Sequence, residues 1–276
     1  MFRILLSLLF VLFFNASALA QQLKFVQITD VHLSQNGNNY HGRNLTESVS
    51  NLKGAITSIN SMNNVAFTVF SGDNIDEPNP DDLKKFCEIT STLKKPYYIT
   101  IGNHDTLEVS ELPKKEYFKI LAKYDKNIKN LSPNYYNYYF LPNKDIAVVM
   151  LDGTINLRMA TAHGFYYDET VDWLDKTLTK LKNKQVIIVQ HFPLVEPYER
   201  KDHRTKDPEK YLEVLKNHPN VKAILSGHYH GYNVIQQDGI YHVSAPALVN
   251  NPSEFLVITV DYDKKSFELK TEKVGL

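Results

Sequence analysis

The chain has 276 residues, 43% of them hydrophobic and 12% aromatic, with 31 Lys+Arg set against 31 Asp+Glu. Balanced charge without a basic stripe speaks against nucleic acid as the main partner, and the single cysteine, Cys87, excludes a disulfide within the chain. The length suffices for a large domain with a deep core.

The first twenty residues have the layout of a secretory signal peptide: Met1-Phe2-Arg3, an apolar run over 4–14, then NASALA. Cleavage is expected between Ala20 and Gln21, leaving 21–276 as one domain of a secreted or periplasmic protein. The apolar run is shorter than the ~20 residues a transmembrane helix needs, so no membrane span is expected.

Beyond it, strand-like and helix-like patterns alternate. A strand at 24–29 is followed by a helical pattern at 45–60, where Leu52, Ile56 and Ile59 share a face. A strand at 65–70 precedes a helix starting at Pro80-Asp81, in which Cys87 reads as a buried apolar residue. A strand at 96–101 precedes a helix at 113–124. This alternation predicts parallel pairing with helices outside.

From Tyr135 the pattern changes to a hairpin, YYNYYFLP and IAVVMLD around a turn at Asn143-Lys144-Asp145. A helix at 168–182 follows, with Val171, Leu174, Leu178 and Leu181 on one face. Strands at 185–190 and 221–226 flank a helix at 208–217, and the end reads as a meander of 232–237, 240–244, 254–263 and 266–271. The fold class that results is α/β, with two mixed β-sheets packed face to face and flanked by helices.

Five polar clusters sit just after apolar runs: Asp30-Val31-His32, Gly72-Asp73-Asn74, Gly102-Asn103-His104-Asp105, Gln190-His191-Phe192-Pro193 and Gly227-His228-Tyr229-His230. Ligand sites in α/β sheets lie beyond the carboxyl ends of strands, and carboxylates and imidazoles gathered there need a partner to offset their desolvation. Divalent metals accept such mixed oxygen and nitrogen donors. Asp30 and His32, like His228 and His230, are two apart and would share one side of an extended segment. Asp73 has two oxygens, enough to bridge two ions, while Asn103 and His191 add an amide oxygen and an imidazole. Seven donors suit two ions about 3.5–4 Å apart sharing a water of lowered pKa. His104 is left over; it could protonate a leaving oxygen, with Asp105 orienting and charging it.

The ordered set Asp-x-His, Gly-Asp, Gly-Asn-His-Asp, His, Gly-His-x-His resembles the calcineurin-like metallophosphoesterase superfamily over Asp30 to His230. The resemblance implies an αββα sandwich and a dinuclear centre of Mn, Fe or Zn. By it, Asp30, His32, Asp73 and His230 would hold the first metal, Asp73, Asn103, His191 and His228 the second, and His104 would be the catalytic histidine. The purple acid phosphatases have tyrosine three residues after the bridging aspartate, where this chain has Asp76. The Gln27-Ile28-Thr29-Asp30 opening with Gly-Asp-x-x-Asp is similar to the cyclic-nucleotide phosphodiesterase-like branch instead.

The remaining histidines, His41, His163, His203, His218 and His242, match no ligand position and read as surface or packing residues. His163 lies in a loop from which it could reach the site. The stretch 198–206, with Arg200, Lys201, His203 and Arg204, reads either as a solvated loop or as a lid whose cations hold substrate phosphate. His163, Arg200 and Arg204 are therefore the substrate-binding candidates. The alternating tyrosines of 134–140 read as core on one face of a strand.

The function expected is hydrolysis of small phosphate esters through a metal-bridging hydroxide, with phosphodiesters favoured. Its rivals are a phosphomonoesterase or nucleotidase, a lipid-headgroup hydrolase, and, from another class, a metal- or phosphate-binding protein that keeps the fold.

Overall fold

The computed structural model describes residues 21–124, 136–155, 161–200 and 203–276. The expected signal peptide, Tyr135 and Lys201 lie outside the described residues.

Strands β1 (Gln21–Ile28), β2 (Thr68–Ser71) and β3 (Tyr97–Thr100) pair in parallel, linked by α1 (Ser48–Ser61) and α2 (Pro80–Thr90). Helix α2 starts where the sequence places it because Pro80 fits its first turn and the Asn79 side chain accepts from Asp81 N and Asp82 N. Helix α3 (Lys114–Tyr124) follows β3, and Cys87 is buried in α2.

The hairpin forms from β4 (Tyr138–Phe140) and β5 (Ile146–Met150), with Tyr138 opposite Met150. After β6 (Gly164–Phe165) come α4 (Asp168–Lys180), β7 (Gln185–Val189), β8 (Thr205–Lys206), α5 (Glu209–Asn217) and β9 (Val221–Ser226). Strands β5, β7 and β9 are parallel neighbours, and β6 pairs with β8 as a small separate ribbon.

The expected terminal meander is divided between two sheets. Strands β10 (Asn233–Gln237) and β11 (Ile240–Ser244) form a hairpin beside β9, but β12 (Glu254–Tyr262) and β13 (Phe267–Gly275) cross to the other sheet, where β12 runs antiparallel to β1. The sheet orders are β13-β12-β1-β2-β3 and β10-β11-β9-β7-β5-β4. Each sheet is thus mixed, with an antiparallel margin on a parallel centre.

Strand alternation explains the layers. In β1, Phe25 faces the space between the sheets and Val26 and Ile28 face α1–α3; in β5, Ile146, Val148 and Met150 face inward and Ala147 and Val149 face α4 and α5. Nearly every residue of β5 and β7 is apolar because both faces are buried. The result is helix, sheet, sheet, helix. Gln27 crosses between the sheets, donating from Nε2 to Ser226 O at 3.0 Å, and so ties the ends of β1 and β9 together beneath the clusters.

Candidate metal centre

All five clusters fall at the carboxyl ends of parallel strands, β1, β2 and β3 in one sheet and β7 and β9 in the other. The backbone leaves each strand sharply. Asp30, His32, Asp73, His228 and His230 all have positive φ, between 44° and 72°. The i, i+2 pairs are therefore not on extended segments as the spacing suggests: left-handed turns aim the side chains together. Non-glycine residues take this conformation at a cost and only where neighbours enforce it. Here Asp30 N, His32 N and Leu33 N donate to Gly72 O, Asp73 O and Asn74 O, locking the β1 loop onto the β2 loop.

Around Asp30 the donors converge closely. His230 Nε2 is 3.3 Å from Asp30 Oδ1, and His32 Nε2 is 3.2 Å from His230 Nε2. His32 Nδ1 lies 3.0 Å from Asp76 Oδ1, a carboxylate partner that leaves the His32 Nε2 lone pair for a cation. The second group is Asp73, His191 and His228, all buried. His191 Nδ1 donates to Ser71 O at 2.9 Å and His228 Nε2 to His203 O at 3.2 Å, so His191 Nε2 and His228 Nδ1 keep the lone pairs that could face a cation. Asp73 Oδ2 joins the groups, 3.2 Å from His191 Nε2 and 3.6 Å from His32 Nε2.

This donor set fits divalent cations. The buried atoms Asn103 Oδ1 and His191 Nε2 have no hydrogen-bond partner, and orphaned buried polar atoms are uncommon in proteins. Although His191 Nε2 is close to Asp73 Oδ2, the pair lacks hydrogen-bond geometry; a cation between nitrogen and carboxylate satisfies both. Gly102 lets these groups meet, since a Cβ there would stand 2.6 Å from Asp73 N and 2.7 Å from His191 Nε2.

The electrostatics follow from packing opposite charges away from water. Burial pushes the Asp30 carboxyl upward, but the charge and hydrogen bond of His230, with help from His191, hold it well below the usual carboxylate range. Asp73 is likewise held low, burial being outweighed by His191, His104 and His32. For His191 burial disfavours the cation, yet Asp73 and Asp30 raise it to about 9. Burial lowers His32 to about 4 despite its bond to Asp76, and burial with the charge on His191 lowers His228.

His104 lies at the edge of this centre, its backbone N–H on Asp73 Oδ1 at 2.9 Å and its Nδ1 donating to Asp76 O at 2.7 Å. Asp105 does not orient it. The Asp105 carboxylate turns into the protein and accepts from Asn74 N, Ile75 N, Gly102 N, Asn74 Nδ2 and the Tyr117 hydroxyl. Its burial, reinforced by the Asp73 charge, pushes it up to about 7 against the bonds from Gly102 and Ile75. Adjacent side chains diverge, and Asp105 braces the loops that carry Asp73 and Asn103.

Two of the substrate-binding candidates, His163 and Arg204, meet each other. The half-buried His163 donates from Nδ1 to Arg204 O at 3.2 Å, and Arg204 Nε pairs with Glu196 Oε1 at 2.8 Å. Main-chain atoms near β8 reach the centre: His203 O meets His228, and Arg200 O accepts from His203 N and Tyr229 OH. His203 also packs its ring 5.0 Å from that of His228, closer to the site than its sequence position suggests. His218 is buried and packs with its Nε2 2.7 Å from Asp175 Oδ1.

Two residues enter the site without a sequence signal of their role. Asp76, noted only as a departure from the purple enzymes, supports both His32 and His104. Arg43, inside the polar stretch 36–44, places Nη1 2.7 Å from Asp76 Oδ1.

Comparison with known proteins agrees with this geometry. The family model described as calcineurin-like phosphoesterase matches residues 23–232. A probable cyclic nucleotide phosphodiesterase of Colwellia psychrerythraea is 27% identical over 218 residues, 76% of this chain and 72% of the relative. A probable glycerophosphodiester phosphodiesterase of Arcobacter nitrofigilis is 26% identical over 247 residues, 87% of this chain and 82% of the relative. Among solved structures, a dimetal phosphatase from Danio rerio superposes with a TM-score of 0.71 at 18% identity, covering 92% of this chain and 98% of that one, a likeness of fold. The chain therefore belongs to the calcineurin-like phosphoesterase family and is a metal-dependent phosphoric ester hydrolase.

Proposed function

We propose that the protein is an exported, dinuclear phosphoesterase of small phosphate esters, acting on diesters ahead of monoesters. The observation that carries this reading is the pair of donor groups, Asp30–His32–His230 and Asp73–His191–His228, joined by Asp73 Oδ2. Asp30, His32, Asp73 and His230 would hold one ion, and Asp73, Asn103, His191 and His228 the other. Imidazole, carboxylate and amide donors suit Mn, Fe or Zn. When bound, such ions lower the pKa of water and neutralise phosphoryl oxygens.

The chain's own residues supply the rest. His104 spends Nδ1–H on Asp76 O, so its Nε2 is the nitrogen that protonates a departing ester oxygen. Asp76 fixes that ring through its carbonyl and the His32 ring through its carboxylate, so neither imidazole reorients during turnover. Preference for diesters is supported by the names of the relatives, which are phosphodiesterases of cyclic nucleotides and glycerophosphodiesters. Export is supported by the apolar run and Ala-Leu-Ala before Gln21. Cleavage there leaves β1, Gln21–Ile28, whole. Among the described residues no helix is long and apolar enough to cross a membrane.

The test is hydrolysis by residues 21–276, loaded with Mn²⁺, of a bis-aryl phosphate and the matching mono-aryl phosphate, with and without chelator. Chelator-sensitive cleavage of the diester at the higher kcat/KM is expected. Faster cleavage of the monoester would reverse the assigned preference, and cleavage of neither with two ions bound would remove the enzymatic reading of these substrates.

A further inference from the structure

The residues around His104 form a third convergent group, His32, Asp76 and His104, whose ring nitrogens and carboxylate could also gather a cation. A cation of the chain itself already stands there. Arg43 Nη1 is 2.7 Å from Asp76 Oδ1, 3.2 Å from His32 Nδ1 and 3.4 Å from each ring nitrogen of His104.

Its placement is built by a tight turn. Tyr40 and Arg43 exchange backbone hydrogen bonds around His41 (φ 49°) and Gly42 (φ 80°), the two-residue hairpin turn with both central residues left-handed. That turn sets the two end residues side by side, with the guanidinium carbon 4.3 Å from the centre of the Tyr40 ring. The Tyr40 hydroxyl donates to Asp76 Oδ2 at 3.1 Å, so Asp76 is held by Tyr40, Arg43 and His32 together. Next door, Asn44 N donates to Val249 O, anchoring the turn to the loop before β12.

We propose that Arg43 contacts the substrate, its guanidinium gripping a phosphoryl oxygen of the ester on the His104 side of the metal centre. The inference rests on the phosphoesterase reading. Every polar contact of the Arg43 side chain with a described residue is made by Nη1, which leaves Nε and Nη2 with donors to give. The side chain is only 12% exposed, so the guanidinium is held in place rather than free in solvent. A guanidinium carries five N–H groups in a flat fork matched to anions with paired oxygens. Support of Asp76 uses one of its nitrogens and would be served as well by a lysine. A phosphoryl group held beside His104 would accept the others, in charge-assisted bonds. Arg204, one of the two arginines that the sequence singles out, is 45% exposed and paired with Glu196. Arg43 is buried by comparison, pairs with Asp76 through Nη1 alone, and lies beside His104.

The experiment compares Mn²⁺-loaded wild type, Arg43→Ala, Arg43→Lys and Arg43→Gln in three measurements: bound manganese per chain, orthophosphate affinity by calorimetry, and kcat and KM on the bis-aryl phosphate. The expected result is full manganese content in all four, phosphate binding and KM weakened at least tenfold in Arg43→Ala and Arg43→Gln, and partial recovery in Arg43→Lys. Phosphate affinity within twofold of wild type in Arg43→Ala would overturn the proposal. So would loss of manganese in both Arg43→Ala and Arg43→Gln, because Arg43 would then act through Asp76 on His32. Because orthophosphate binding is read separately from turnover, a wild type that binds phosphate but cleaves no ester would sink the phosphoesterase reading while the Arg43 comparison still decides this one.

Discussion

Asp73 Oδ2 and His191 Nε2 stand 3.2 Å apart although they come from different sheets, one just past β2 and the other just past β7. The centre is therefore assembled across the sandwich, and its geometry depends on how the two sheets are docked. Gln27 to Ser226 and Thr100 to Leu151 O are cross-sheet bonds that hold that docking next to the site.

Asp73→Asn should remove the group shared by both donor triads. Manganese content is expected to drop below one ion per chain and kcat to fall roughly a thousandfold or more, since the metal's several kcal/mol of transition-state stabilisation goes with it. Metal analysis beside steady-state kinetics checks this. A variant with two tightly held ions would show that Asp73 does not join the groups.

His104→Ala should keep the metals and lose turnover, by about 10²–10⁴-fold, the range for a general acid. The loss should shrink for an ester whose leaving alcohol has a low pKa, because such an oxygen departs without a proton. An equal loss on all leaving groups would argue against proton donation by His104.

Asp105→Asn should act on stability first. The carboxylate accepts from the backbone of Asn74, Ile75 and Gly102 inside the protein, and leaving buried donors poorly paired costs about 1–3 kcal/mol. A lower urea midpoint in the chelated protein is expected, together with weaker metal binding as the Asp73 and Asn103 loops loosen. An unchanged midpoint with lost activity would return Asp105 to a role on His104.

The metal dependence of stability should vary with pH in a set direction. His191 is raised from 6.5 to about 9, burial being overcome by Asp73 and Asp30. A group raised on folding contributes stability that is complete below its unfolded value and lost as pH climbs through the folded one. In chelator the urea midpoint should therefore carry a falling contribution between pH 6.5 and about 9. With Mn²⁺ that proton is displaced, so affinity for the ion should rise over the same window. Urea titrations at three pH values, with metal and with chelator, test the sign; parallel curves would contradict it.

Gly102→Ala should be far more harmful than an ordinary loop substitution, because the new methyl would meet Asp73 N and His191 Nε2 at 2.6 and 2.7 Å. Loss of metal and a drop in thermal midpoint are expected, and a native-like melting curve with full metal content would show that the loops can separate.

The convergence of the five clusters was legible in the chain because each directly follows an apolar run, and a parallel strand delivers whatever follows it to one edge of its sheet. Helices and strands were legible for the same local reason: apolar spacing and caps such as Asn79-Pro80 act over a few residues. The division of the last four strands between two sheets was not, since β11 and β12 have similar strand patterns and only their packing partners differ. Asp105 and Arg43 show the same limit. One turned from its neighbour His104 to backbone donors about thirty residues away, and the other reached Asp76 from a polar turn without periodicity. Sequence alone determined which donors lie at strand ends. Only the tertiary structure decided which of them face one another, because that depends on left-handed turns and on the docking of two sheets, neither of which is written in local spacing.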